Sequence, residues 1–451
     1  MSRCNVAAVG IVAGGGSLPL DVAAALRARG RAVHIVAIEG HAEAGVASFP
    51  HEWVNVGRIG RIVASLRRAG CREIVIAGSI QRPDLRQMRI DLGFVRHLPT
   101  LLQMTRGGDD SVLRRVVHFF ESQGFIVRGT GELVPHLMAA AGPLGRHRPA
   151  DMHLAAIVRA GRVMRALGPF DLGQGIVATA DRVIAVEGVR GTDAMLADLG
   201  PDGCGAGLGQ GAVLVKLAKP GQEMRVDLPT IGPVTIARAA AAGLAGIAVG
   251  SASAIVLDQP ATSVLADRAG LFVVGIETTG DLTGDLGRPP EPVTAGAVVM
   301  PGPETPLTLL SRYAPTPSDR RDLGLARRLL PILAAQGAGH ATVVAGEHVL
   351  AVSGALPVDK LIAPLAARSL WGLRVLRGRT GTLAIDLRGL LGELPPGRDP
   401  AALLGIELFR AAKEARLAGI GCFGAAIPES IKADVVAWAN EARIFLMSEV
   451  L

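Results

Sequence analysis

Two stretches of this chain repeat one another at a fixed spacing, and this constrains the possible folds more than any other feature. Val343–Gly354, VVAGEHVLAVSG, matches Val177–Gly188, VATADRVIAVEG, at an offset of 166. Further on, Leu417–Ile420 repeats the LAGI of Leu244–Ile247, and Ala439–Phe445 repeats the ADRAGLF pattern that begins at Ala266, both at an offset of 173. Matches in one order at nearly one offset point to a duplicated structural unit, so a third domain related to the second is expected. The copy keeps the apolar strands and drops the polar residues. Ser353 stands where the first copy has Glu187, no TDAM follows Gly354, and neither KxxKP nor DLPTIG precedes Leu417. Such a copy serves packing, dimerisation or cover of a substrate.

Ahead of the repeat, strands and helices alternate. Val6–Ala13 is a buried-strand run, Gly14–Leu18 a glycine-rich turn, and Pro19–Arg29 a helix with proline in its first turn. A strand at Ala32–Ile38, a helix at about Ile59–Ala69 and a strand at Glu73–Ala77 complete a βαβαβ order, which implies a doubly wound parallel sheet. The turn lacks the GxGxxG spacing of a dinucleotide fold, but a glycine turn closing the first strand suits a nucleotide's phosphates or ribose. The fold class is therefore α/β: an N-terminal doubly wound, Rossmann-like domain over 1–148, a second α/β domain over 149–282, a Pro-, Gly- and Thr-rich linker over 283–320, and a smaller third α/β domain over 321–451. The segment IVATADRVIAVEG reads as one strand. The uncharged run Ala239–Leu257 breaks at Gly243 and Gly246, so it reads as a helix followed by a buried strand and not as a membrane span.

Composition narrows the partners. Four cysteines without a CxxC give neither a zinc site nor a disulfide framework, and three Trp with one Tyr leave few platforms on which bases could stack, so no nucleic-acid partner is expected. The net charge of +7 is concentrated in residues 1–280, with 29 Lys plus Arg against 23 Asp plus Glu. Twelve arginines between Arg58 and Arg115 are interleaved with Leu85, Met88, Ile90, Leu92, Phe94 and Val95, a pattern suited to an anionic substrate or an anionic membrane surface. No secretory signal is read at the N-terminus.

The chemistry gathers in Lys216–Pro233, KLAKPGQEMRVDLPTIGP, a polar segment without strand or helix periodicity. Lys216 and Lys219 supply ammonium donors, Asp227 supplies a hard oxygen for Mg²⁺ or a base for water, and Gly232-Pro233 opens a helix whose first amides suit an anion. Ten scattered histidines form no HExxH and no serine triad. Asp109 and Asp110 of GDDSVLR stand where a helix begins, as caps or as substrate contacts.

Residues 5 to about 280 resemble the LpxI-type UDP-2,3-diacylglucosamine pyrophosphatases of lipid A synthesis. The resemblance rests on GIVAGGGSLPL, AGSIQRPDL, GGDDSVLR, DLGQG, AVEGVRGTDAM, KLAKPGQEMRVDLPTIGP and ADRAGLFVVG, in the family's order. It implies a cytoplasmic enzyme, peripheral at the inner membrane: a homodimer of two-domain chains with the active site between the domains. Such an enzyme takes a nucleotide-lipid substrate and, with Mg²⁺ or Mn²⁺, cleaves its pyrophosphate to UMP and diacylglucosamine 1-phosphate (lipid X). On this reading Asp227, Asp193, Lys216 and Lys219 are catalytic, and Asp227, Asp193 and Glu187 hold the metal. Gly14, Gly15, Ser17, Asp109, Asp110, Thr192 and Thr230 touch substrate. Leu92–Leu102 or Leu196–Leu208 lines an acyl trough. A hydrolase of another nucleotide-diphospho compound and a non-catalytic nucleotide-lipid scaffold remain alternatives, which metal-dependent turnover and acyl dependence would separate.

Overall fold

A computed structural model describes residues 7–80, 91, 109–200, 211–219, 221–277, 306–355, 357–366, 381–392 and 403–449. The first sheet is parallel throughout. It holds β1 (Val9–Ala13), β2 (Val33–Ile38), β3 (His51–Val54), β4 (Glu73–Ala77) and β5 (Ile126–Val127) in the order β3-β2-β1-β4-β5. Strand side chains alternate between faces, and β1 uses both. Val9, Ile11 and Ala13 pack with Val22, Ala23 and Leu26 of the helix Leu18–Ala28, whereas Val12 packs with Ile62 and Leu66 of Ile59–Arg68 and Phe120 of Asp109–Ser122. A sheet apolar on both faces needs helices on both, which is the doubly wound arrangement. The short β3, HEWV, carries no apolar run and was not legible in the sequence.

The second sheet contains β6 (Gly142–Pro143), β7 (Gly175–Ala178), β8 (Val183–Val186), β9 (Val213–Lys216), β11 (Gly246–Gly250) and β13 (Phe272–Ile276), ordered β6-β13-β11-β9-β7-β8. A parallel two-stranded ribbon, β10 (Thr230–Ile231) with β12 (Ile255–Val256), stands apart from it. Two sequence expectations change. IVATADRVIAVEG is a hairpin, because the polar Thr179–Arg182 turn closes with the Thr179 amide on the Arg182 carbonyl at 2.9 Å. The second sheet also takes its antiparallel edge from β6, ahead of residue 149; a two-residue strand has no periodicity to reveal it.

The third sheet repeats the second strand for strand. β14 (Leu307–Leu309), β15 (Ala341–Ala345), β16 (His348–Val352), β17 (Thr382–Asp386), β18 (Gly419–Phe423) and β19 (Phe445–Glu449) are ordered β14-β19-β18-β17-β15-β16. In both sheets the edge strand runs antiparallel to its neighbour, the next three strands are parallel and the hairpin is antiparallel. Even the hairpin irregularity recurs, between Val177 and Ala178 and between Val343 and Val344. Part of the segment read as a linker is thus structured, since β14 joins the third sheet and the helix Pro317–Ala335 begins before residue 320; residues 283–305 lie outside the described residues. Among the described residues no helix is long and apolar enough to cross a membrane. Cys71 and Cys422 are free and buried, and burial pushes their thiols up to about 11 and about 12, so neither is poised as a nucleophile.

Candidate functional site

In the first sheet the strand order reverses beside β1, and the open end between β1 and β4 is where doubly wound folds place ligands. Two glycine loops meet there. Gly15 and Ser79 exchange backbone hydrogen bonds of 2.7 and 3.0 Å, and a Cβ at Gly78, whose φ is +87°, would lie 2.6 Å from the Gly15 carbonyl oxygen. This contact demands glycine. The turn leads into the helix Leu18–Ala28 through Ser17, whose hydroxyl donates to Asp21 at 3.1 Å instead of capping the helix. Asp21 is raised above the usual carboxylate range by burial, opposed by that hydrogen bond and reinforced by Asp258 of the second domain.

Facing these loops is the segment Arg225–Thr230 of the second domain. Between them lies a cleft of about 290 Å³, lined by Gly15, Gly16, Ser17, Gly78 and Ser79 on one wall and by Arg225, Asp227, Leu228 and Thr230 on the other. Val226, Leu228, Ile255 and Leu257 extend from the second domain into the apolar cores of the first, so the walls are held by packing. A polar latch adds to it. Arg225 grips Glu223 with two bonds of 2.8 Å and reaches Glu121 on the first domain's helix Asp109–Ser122 at 2.7 Å.

Behind Asp227 and Thr230 the sequence motifs converge. Gln174 donates to the Asp227 carboxylate at 2.8 Å, and the Gln222 amide donates to the same oxygen and to the Asp227 carbonyl. Lys216, at the end of β9 and 7% exposed, donates to the Thr192 hydroxyl at 2.7 Å and to the Thr230 carbonyl at 3.2 Å. An ammonium has three protons, so this buried cation keeps one donor beyond those two bonds. Lys219 is ion-paired with Asp171 at 2.6 Å, tying DLGQG to the lysine loop; Asp171 itself has a left-handed φ of 52°.

The structure thus places Asp227 and Thr230 across the cleft from Gly15 and Ser17, with Lys216 and Thr192 bonded behind Thr230 and Lys219 on Asp171; Gly14 anchors the turn against Gly78 and Ser79. Asp193 is not part of the group. Its side chain is half exposed on the helix Gly191–Leu199 and faces Arg238 at 3.8 Å. Asp109 and Asp110 begin the helix Asp109–Ser122, with side chains outside the described residues, as are Leu92–Leu102 and residues 201–208 of the acyl-trough candidates. Asp171, Gln174, Gln222 and Arg225 were missed in the sequence. Glutamine amides carry no charge signature, and only their places in DLGQG and KPGQEM set them apart.

A divalent cation of the Mg²⁺ class is held by one or two carboxylates plus phosphate oxygens. Asp227 offers a carboxylate on the cleft wall, oriented by two amides. Glu187 leans over Gly173 and Gly175, which flank Gln174, and its Oε2 is buried without a hydrogen-bond partner. An orphaned buried carboxylate oxygen is costly unless it meets a cation. Each of these two carboxylates can offer an oxygen to such an ion, whereas Asp193 faces Arg238.

The latch has a measurable acid signature. Arg225 holds the Glu223 carboxyl below the usual range, so its contribution to stability is present above the unfolded pKa of roughly 4.3 and is lost as pH falls through the lower folded value. Arg225→Met is expected to cost about 1 kcal/mol at neutral pH, because the group is partly solvated. Urea midpoints should show this gap constant at neutral pH and shrinking below pH of roughly 4.

A parallel sheet whose switch point opens onto a second α/β domain, with an amide-held carboxylate on the far wall and a fixed ammonium behind it, defines a two-domain α/β unit with a polar cleft between its domains, to which a third α/β domain is added. Family models for the LpxI N-terminal domain and the LpxI C-terminal domain match residues 8–137 and 140–274. The UDP-2,3-diacylglucosamine pyrophosphatase LpxI of Caulobacter vibrioides is 41% identical over 272 residues, which are 60% of this chain and 97% of that protein. The chain belongs to the LpxI family.

Proposed function

We propose that the protein hydrolyses the pyrophosphate bond of UDP-2,3-diacylglucosamine, giving UMP and 2,3-diacylglucosamine 1-phosphate in lipid A synthesis. The observation that carries this reading is the Asp227 carboxylate, held by Gln174 and Gln222 on the wall opposite the glycine turn, with Lys216 held by Thr192 and by the Thr230 carbonyl of that same wall. Family membership and the activity named for the Caulobacter relative support it. The glycine turn and the first amides of the helix Leu18–Ala28 receive phosphate or ribose oxygens of the nucleotide. Water adds to one phosphorus as the bridging P–O bond breaks, and negative charge spreads over the phosphoryl oxygens. Lys216 meets that charge with its remaining N–H, already desolvated and immobilised, so little reorganisation accompanies the reaction. Asp227 orients the attacking water and accepts its proton. Mg²⁺ or Mn²⁺, held by Asp227 with Glu187 as the second carboxylate, would supply charge neutralisation on the phosphates. The diacyl substrate places the work at the cytoplasmic face of the inner membrane, and the basic excess of residues 1–280 suits that surface.

The test is UMP release from UDP-2,3-diacylglucosamine with Mg²⁺ or Mn²⁺. Release is expected to stop with EDTA and to return with excess metal. Folded protein that binds the nucleotide-lipid and never releases UMP would replace this reading with a binding role.

A further inference from the structure

The second and third sheets touch along an interface whose contacts come in matched pairs. The Val189 amide donates to the Leu350 carbonyl at 3.2 Å, and the Ala355 amide donates to the Ile184 carbonyl at 3.0 Å. Shifted by the repeat offset of 166, Val189 becomes Ala355 and Ile184 becomes Leu350. The close approach is matched as well: a Cβ on Gly188 would collide with the Leu350 carbonyl, and one on Gly354, its counterpart, with the Ile184 carbonyl.

The helices Asp151–Leu167 and Pro317–Ala335, counterparts under the same shift, touch each other at this seam while each packs on its own sheet. A two-fold dimer has this property: if residue i touches j of its partner, j touches i in return.

We infer that the third domain occupies the place of a second copy of the second domain in a two-fold pair, so that the chain carries its partner within itself and works as a single copy. Retention of Gly354 and of the buried helix stripe, beside loss of the counterpart of Glu187, follows: docking is what the copy keeps. The inference rests on the seam alone and stands whether or not the cleft is a pyrophosphatase.

Light scattering and amide hydrogen exchange on the full chain test it. Across the micromolar range the protein should have the mass of one chain, and the Val189 and Ala355 amides should exchange slowly and open together. The mass of two chains, or fast exchange at both amides in folded wild type, would overturn the inference. Gly354→Val should raise exchange at Val189, in the other domain, at least tenfold, with two-chain species appearing as concentration rises. Unchanged Val189 exchange in the folded variant would also overturn it, and the wild-type measurements decide the matter if the variant does not fold.

Discussion

Replacing Asp227 by asparagine is expected to lower kcat for UMP release by about a thousandfold, about 4 kcal/mol of barrier, with a thermal midpoint close to wild type. The substitution keeps the side-chain volume and leaves an oxygen for the Gln174 and Gln222 amides to meet, so the local fold survives. It removes the charge and the basicity. Steady-state kinetics beside thermal unfolding separates the outcomes. A small loss of kcat would remove Asp227 from the chemistry, and a large fall in midpoint would make its role structural. Gln174→Leu is the companion variant: it frees the carboxylate on one side without deleting it, so a smaller loss that changes the pH profile is expected.

Lys216→Met is expected to reduce kcat by about a hundredfold to a thousandfold, as removal of a preorganised donor does elsewhere. It should also destabilise the protein by about 1–3 kcal/mol, because the Thr230 carbonyl loses a partner beside a buried stem. Arginine would not rescue it: a buried slot shaped for one ammonium between Thr192 and Thr230 does not admit a planar guanidinium. A variant that loses only stability, with kcat intact once folded, would show Lys216 to be a strut between β9, the Thr192 helix and the ribbon.

How far the sequence reveals this arrangement depends on the kind of signal each part leaves. Apolar runs such as VGIVA and VHIVAI make the first parallel sheet legible, and the repeat announces a third sheet, which matches the second strand for strand. Charged residues in a motif are readable as candidates, so Lys216 and Asp227 stand out ahead of their neighbours. Direction was not readable. Asp193 is one residue from Thr192, yet on the helix Gly191–Leu199 that step turns it outward to Arg238 while Thr192 stays buried against Lys216. Lys219 is readable as a phosphate donor, but its ion pair with Asp171, 48 positions earlier, is not. The seam was invisible for another reason: a hydrogen bond between edge strands needs only backbone and a missing Cβ, and two glycines leave no charge or periodicity to read.

The common apolar stripe of Asp151–Leu167 and Pro317–Ala335 bears on how the chain is made as well as on how it stands. During synthesis the second domain has all its strands by Ile276, while the side of Asp151–Leu167 that meets Pro317–Ala335 stays uncovered until the later helix has been translated. At roughly 5–20 residues per second this leaves a delay on the order of several seconds, during which a neighbouring nascent chain offers the same greasy stripe. Crowded polysomes should therefore favour exchange of third domains between chains, and slow, dilute expression should favour the self-contained form.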